Sequence, residues 1–546
     1  MRDVDVTPIA FNYSAKTVGK TLKLSPVTQL KMDLEALTEK LEKYGQNHVL
    51  QYWESLSEPQ QVALYTQLNS INYRELTSNF GNSMQYLMSS TDNKLDQHLM
   101  PLPTDVCGST SRCDSATILA YQQKGLTEIG NSNVAVLLLA GGQGTRLGVN
   151  YPKGMYNVNL PSGKTLYQLQ AERIYRVQEL AAGVTGKPCT VPWYIMTSEH
   201  TKEPTEAFFE KHDHFGLKKE NVILFEQHLL PTLSFDGRII MESKHKISLA
   251  PDGNGGLYRA LREHGIIDDM VNRGIQFLHV YCVDNILVKM ADPVFIGFCL
   301  SKGVECGAKV VEKAFPTEPV GVVCKVHGQY QVVEYSEITL NTAEQRNADG
   351  RLTFNAGNIC NHFFTIQFLK NVCGKKQENQ LKYHVAKKKI AFINQEGQTE
   401  KPTSPNGIKM EKFVFDVFHF ATSFAVWEVL REDEFSPLKN ADGAAKDTPT
   451  TCRHSVFDLH RRYLLSAGAK FTEKGGVPIS DIPSRRSGEF DEANIICEIS
   501  PLVSYAGEQL ESVVEGKTLV APLHIEKSSR DGSISIVTNG IGADSS

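Results

Sequence analysis

Leu30, Leu34, Leu37, Leu41 and Tyr44 step along the chain by fours and threes, which places them on one face of a helix that Gly45 ends. A second helical stretch follows over residues 60–68, and no strand alternation is visible before Asn133. The texture then changes. Short apolar or β-branched runs at residues 134–140, 193–197, 222–225, 277–283 and 308–311 alternate with helical stretches, the first carrying Leu166, Leu169, Ile174, Val177 and Leu180. Strands spaced by helices predict βαβ units and a mostly parallel sheet covered on both faces. Residues 321–326 and 330–334, separated by His327, Gly328 and Gln329, predict an antiparallel hairpin. Beyond about Asp442 the chain is turn-rich, with short strands expected at 500–503, 518–523 and 533–537. The pattern divides the chain into a loose extension over 1–28, a helical region over 29–132, a Rossmann-like α/β sheet domain over 133–441, and a small β-rich domain over 442–546.

Composition narrows the class. Among 546 residues, 41% are hydrophobic and 22% charged, ordinary values for a folded chain. Lys+Arg 57 against Asp+Glu 62 leaves a net charge of -5, which makes nucleic acid a poor partner and requires any anionic ligand to be held by local charges. The eleven cysteines contain no C-x-x-C pair and read as reduced thiols of a cytoplasmic protein. No apolar run approaches the roughly 20 residues of a membrane span, and the first residues carry Asp3 and Asp5 without an apolar core, so neither membrane nor secretory signal is expected.

The most informative segment is VAVLLLAGGQGTRLGVNYPKG, residues 134–154. A buried strand runs into Gly141, Gly142, Gly144 and Gly148. Glycines in such a turn let backbone N–H groups close on an anion. Arg146 and Lys153 add fixed positive charge suited to a polyphosphate. Two familiar loops fail on spacing. Gly142, Gly144 and Gly148 give G-x-G-x-x-x-G, not G-x-G-x-x-G, and Gly163-Lys164-Thr165 has Val158 where a Walker loop needs glycine.

AGGQGTRLG followed by PKG resembles the signature of sugar-nucleotide pyrophosphorylases. LAPDGNGG (249–256), VYCVDN (280–285), PTEPVGVV (316–323), VVEYSE (332–337), FNAGNI (354–359), NGIKMEKFVFD (406–416), REDEFSPLKN (431–440) and CEISPLVSYAGE (497–508) follow in order. Together they resemble eukaryotic UDP-N-acetylglucosamine pyrophosphorylases over nearly the whole chain. The resemblance implies a nucleotidyltransferase that joins UTP and N-acetylglucosamine 1-phosphate into UDP-N-acetylglucosamine and pyrophosphate, with N-acetylgalactosamine 1-phosphate as an additional substrate. It implies phosphate contacts from Arg146, Lys153, Lys409 and Lys439. Uridine would lie across Leu139, Ala140, Gly141 and Gly142, with Gln227 and Gly253 at the uracil edge. The sugar would meet Asn254, Gly321, Glu334 and Asn358. A divalent ion, magnesium (Mg2+) with manganese (Mn2+) as the alternative, would take Asp284 as its protein ligand. Asp284 ends a strand of the sheet, where such ligands gather.

Elementary chemistry fits this assignment. A sugar phosphate has its second pKa near ~6 and is already a nucleophilic anion at pH 7, so no Ser, Cys or His triad is required. The obstacle is repulsion between phosphates, which calls for positioning and electrostatic clamping. Cys360, after Asn358 and Ile359, sets a thiol beside the expected sugar pocket. A UDP-glucose or broad UDP-sugar pyrophosphorylase would share the glycine loop and Lys153, and a silent UDP-sugar sensor would be expected to lose Arg146, Lys153 or Asp284. Both a monomer and a homodimer are compatible with the sequence.

Overall fold

Six consecutive buried residues, Val134–Leu139, open the central sheet. Alternation divides this run between two cores: Ala135, Leu137 and Leu139 face one apolar cluster, and Val134, Val136 and Leu138 the other. The computed structural model describes residues 26–89, 95–472, 476–479 and 495–538. Residues 1–25 of the expected extension lie outside the described residues. Residues 26–28 already belong to the helix Pro26–Lys43.

The chain forms two compact units. Of the described residues, the smaller takes 26–78, 233–248 and 389–407. Its helices Pro26–Lys43 and Glu58–Asn69 bury Leu37, Leu41, Leu64 and Leu68, so of the helix face read from the sequence Leu37 and Leu41 are buried; the side chain of Leu30 lies outside the described residues. Ser57 starts the second helix, its backbone N–H donating to Gln60 Oε1 at 3.0 Å. Helices of the region expected over 29–132 continue as far as Ser115–Gly130, while the smaller unit ends near residue 78 and is completed by segments distant in sequence. Gln46 explains why: its side chain accepts from Ile239 N (2.9 Å) and donates to Gly237 O (3.0 Å).

The larger unit holds an eleven-stranded sheet, counted among the described residues. In chain order its strands are β1 (Leu99–Met100), β2 (Cys107–Ser109), β3 (Val134–Leu139), β4 (Trp193–Thr197), β5 (Val222–Glu226), β6 (Phe277–Cys282), β7 (Cys306–Glu312), β8 (Val322–Val326), β9 (Gln329–Val333), β10 (Ala356–Thr365) and β11 (Phe424–Val429). The spatial order is β2-β11-β7-β10-β6-β3-β4-β5, with β8 branching to β1, β9 and β10. Strands β6, β3, β4 and β5 are parallel neighbours, as are β7, β11 and β2. Only β10, antiparallel to both β6 and β7, interrupts them on that path. The mostly parallel α/β sheet is thus formed, and β8–β9 is the expected hairpin. His327 and Gly328 turn it with φ of 51° and 82°, the two positive values that a type I′ turn needs.

Three expectations are corrected. Strand structure begins before Asn133, because β2 pairs with β11 at the sheet edge. Residues 500–503 form a turn closed by Val503 N on Ser500 O (2.9 Å), not a strand. After Asp442 the chain first forms the helix Pro449–Ser466, with Thr448 Oγ1 accepting from Thr451 N. The strands Lys470–Thr472, Cys497–Ile499, Thr518–Val520, Leu523–Lys527 and Ile534–Val537 follow. They surround their own apolar cluster, which includes Leu464, Phe471, Cys497, Leu523 and Ile525. The described residues beyond 442 nevertheless belong to the same compact unit as the sheet, so no boundary between units falls at 442. Buried Glu498 shows one cause: its carboxylate accepts from Ser162 N (2.7 Å) and Ser162 Oγ (2.6 Å). No helix among the described residues is long and apolar enough to cross a membrane.

Candidate active site

The glycine loop leaves β3 at its carboxyl end. Leu139 and Ala140 are buried, while Gly142 is exposed. Lys153 N donates to Gly142 O (3.4 Å) and Gly144 N to Tyr151 O (3.1 Å), folding residues 141–153 back on themselves. Ser198 Oγ donates to Gly141 O at 2.9 Å. The Gln227 amide lies so close to Gly141 that an added Cβ would stand 3.0 Å from Nε2. Gln227 is itself buried, with its backbone N–H on Thr197 O (2.9 Å). The structure therefore brings Gln227 onto the floor formed by Leu139, Ala140, Gly141 and Gly142.

Gly253 and Asn254 sit in a turn joined to the chain that follows Lys409. Lys412 N donates to Asp252 O and Gly255 N to Lys412 O, both at 2.8 Å, and Val414 N donates to Asn254 Oδ1 at 3.0 Å. Gly253 has φ +86°, and a Cβ there would meet Lys412 O at 2.3 Å, so only glycine permits this approach. Lys409 stands on the strand Gly407–Glu411 that leads into this junction. Beneath the turn, burial pushes the Asp252 carboxyl up to about 7 against the pull of Arg259 and Lys412.

The phosphate side is assembled by bonds that tie residues 438–447 to Asp284 and to the glycine loop. Leu438 N donates to Asp284 O (2.8 Å), Lys153 Nζ donates to Leu438 O (3.1 Å), and Ala441 N donates to Arg146 O (3.1 Å). Lys439 N and Asn440 N both donate to Asp447 O. Arg146, Lys153, Asp284 and the loop bearing Lys439 thus form one locality. Among the described residues none of Arg146, Lys153, Lys409 and Lys439 is in an ion pair. By contrast Lys412 pairs with Glu378 at 2.6 Å. Cations left without a carboxylate partner beside backbone donors are a site for an anion.

Of the expected sugar residues, Gly321, Glu334 and Asn358 also meet. Asn358 N donates to Gly321 O at 2.8 Å, and a Cβ on Gly321 would stand 2.9 Å from Glu334 Oε1. Burial, reinforced by Glu337, raises the Glu334 carboxyl above its ordinary range, while His384 and Lys439 pull it back. Asn358 Oδ1 accepts from Cys360 N (3.1 Å) and from His362 Nε2 (3.3 Å). Cys360 has φ 53° at the β7–β10 irregularity, and its thiol hydrogen-bonds Cys282, raising the Cys282 thiol well above its usual range together with burial.

Sequence reasoning missed Asp447, Asp252 and Asn285. Asp447 lies outside every motif, and nothing in its spacing points to it. Asp252 and Asn285 stand inside LAPDGNGG and VYCVDN, so the signal was present but attached to their neighbours. Among the described residues no group of three or more His, Cys, Asp or Glu could hold a metal unaided. A single strand-end carboxylate suits magnesium, which commonly binds one or two carboxylates together with substrate phosphates.

A parallel α/β sheet with a glycine loop, unpaired cations and an aspartate at its carboxyl edge defines a nucleotide-binding protein built for phosphate chemistry. The family model described as UTP–glucose-1-phosphate uridylyltransferase matches residues 77–473, and the chain belongs to that family. The chain is 55% identical over 504 residues to the Xenopus tropicalis UDP-N-acetylhexosamine pyrophosphorylase-like protein 1, covering 92% of this chain and 98% of that protein. It is 40% identical over 485 residues to the UDP-N-acetylglucosamine pyrophosphorylase of Saccharomyces cerevisiae, covering 87% and 95%. The crystal structure of the uridine diphosphate N-acetylglucosamine pyrophosphorylase from Trypanosoma brucei in complex with inhibitor superposes with a TM-score of 0.74 at 30% identity, covering 88% of this chain and 94% of that one.

Proposed function

We infer that the protein transfers uridylyl from UTP to an N-acetylhexosamine 1-phosphate, N-acetylglucosamine 1-phosphate foremost, giving UDP-N-acetylhexosamine and pyrophosphate. The observation that carries the reading is that Arg146, Lys153 and Lys439, none in an ion pair among the described residues, stand on segments bonded to one another and to Asp284 beside the glycine loop. A sugar-phosphate oxygen attacks the UTP α-phosphorus, the α–β bridging bond breaks, and its electron pair leaves with pyrophosphate. The reactants bring on the order of six negative charges together, so lowering repulsion is the main catalytic task. Lys153 and Arg146 hold the departing β- and γ-phosphates. Lys409 and Lys439 steady the incoming phosphate, and Gln227 and Gly253 fix the uracil. Asn254, Gly321, Glu334 and Asn358 orient the sugar. Asp284 would hold magnesium, with manganese as a substitute, and the ion when bound supplies positive charge to the phosphates. All eleven cysteines are free thiols, which supports a reducing, cytoplasmic setting.

The test is pyrophosphate release from UTP and magnesium with N-acetylglucosamine, N-acetylgalactosamine, glucose and galactose 1-phosphates in parallel. Turnover confined to the N-acetylated pair is the expected result. Preference for glucose 1-phosphate would overturn the sugar assignment while leaving the phosphate site standing. Silence with all four, from protein that still binds UDP-N-acetylglucosamine, would make it a sensor.

A further inference from the structure

Asn285 follows Asp284, is only 4% exposed, and spends its whole side chain on protein groups. Its Nδ2 donates to Glu434 O at 2.7 Å, and its Oδ1 accepts from Ser436 N at 3.0 Å and from Leu287 N at 3.3 Å. The same two segments are paired by an Asn285–Pro437 bridge and by Ile286 N on Ser436 O (3.2 Å). Immediately beyond, Leu438 N meets Asp284 O, and Leu438 O takes the Lys153 ammonium.

Each side of this junction is anchored from beneath. The Glu434 carboxylate is gripped by fully buried Lys309 (2.5 Å) and by Lys289 (3.4 Å), and Lys309 also holds Asp292 at 2.6 Å. On the other segment, Arg173 Nη1 donates to Ile286 O (2.7 Å) and Val288 O (3.2 Å). The Asn285 amide supplies the side-chain bonds between these two anchored segments beside a few backbone ones, so removing it loosens the register of one against the other.

We propose that Asn285 is a positioning residue: it touches no substrate, and it locks Asp284, Lys153 and the Lys439 loop into the single arrangement that the transfer needs. This rests on the phosphate-site reading above. Displacing reacting groups by about 1 Å costs on the order of a hundredfold in rate, whereas affinity for UDP-N-acetylglucosamine draws largely on the glycine floor and sugar residues, which Asn285 does not contact.

The experiment compares full-length wild type, Asn285→Ala and Asp284→Asn for kcat, KM of both substrates, UDP-N-acetylglucosamine Kd by calorimetry without added metal, and thermal midpoint. Asn285→Ala is expected to lower kcat about a hundredfold, to raise the magnesium concentration giving half-maximal rate, and to leave Kd nearly unchanged. If the alanine variant does not fold, Asn285→Ser, with a polar atom still available to the buried groups, carries the same comparison. Wild-type kcat, equal losses in kcat and affinity, or a rate loss matched by the unfolded fraction would each overturn the positioning role. Wild-type turnover by Asp284→Asn would instead overturn the phosphate-site reading, and the two failures are read from different variants.

Discussion

Lys153 illustrates how one residue is set for a charge that moves. Its ammonium is tethered to a neutral carbonyl, Leu438 O at 3.1 Å, and is in no ion pair among the described residues. A tether of this kind fixes the position of the cation while leaving its field for a ligand. If it serves the departing pyrophosphate, its attraction is stronger in the transition state than in the product complex, where pyrophosphate is gone. Lys153→Ala should lower kcat by about 10²–10³-fold, the cost of removing one preorganised electrostatic partner. Its effect on UDP-N-acetylglucosamine Kd should be far smaller. Equal losses in steady-state kinetics and calorimetry would mark Lys153 as a uniform binding group instead. At this scale the sequence was legible where a residue type announces its chemistry: the glycines, Arg146, Lys153 and Asp284. It was silent on Asp447, whose contribution at the Lys439 loop is a backbone carbonyl that any residue type could supply.

At the scale of elements, the strands that could be read were those with unbroken apolar runs buried on both faces, such as β3 and β4. Strand β10 escaped because it carries Asn358, Cys360, Asn361 and His362 into the middle of the sheet, where His279 Nε2 is hydrogen-bonded to Asn361 Oδ1. Polar residues paired inside a core erase the apolar signal without weakening the strand. The helix Pro449–Ser466 escaped because its buried Cys452, Val456, Leu459 and Leu464 are diluted by Thr, Arg and His. Helix packing was equally hidden. Ser115–Gly130 and Pro293–Lys302 touch backbone to backbone: a Cβ on Gly297 would stand 1.8 Å from Tyr121 O, and one on Gly125 2.0 Å from Pro293 O. Gly297→Ala must push these helices apart, so a loss of about 1–3 kcal/mol or more is expected from overpacking. Thermal or urea unfolding checks this, and an unchanged midpoint would mean the helices part freely. The fraction that remains folded should retain its kcat, because neither helix carries a candidate site residue.

For the molecule as a whole, buried titratable groups set how stability varies with pH. Burial lowers His279, His362 and His460 to about 3. Each therefore stays neutral when folded but takes a proton in the unfolded chain below about 6.5. Their contribution is fully present above pH 6.5 and is lost progressively as pH falls toward 3. Asp252 has the opposite sign. Raised to about 7, it keeps its proton when folded while the unfolded carboxyl ionises near 3.8, so its contribution is full below pH 3.8 and lost as pH rises through 7. His48, His228 and His419 are lowered by burial as well, so the lowered histidines outnumber the groups of opposite sign, the raised Asp252, Glu334, Asp447 and His384; the acid side is the weak side, and the thermal midpoint should fall between pH 6.5 and 4. Asp252→Asn removes one opposing member. Its stability relative to wild type should therefore climb from pH 5 to pH 8 by about 3 kcal/mol, since the roughly two pKa units crossed between 5 and 7 correspond to about 1.4 kcal/mol each. A difference that stays constant across this range would show that Asp252 is ionised in the folded protein. In that case Arg259 and Lys412 would outweigh burial, and the turn carrying Gly253 and Asn254 would rest on a charged carboxylate instead of a neutral one.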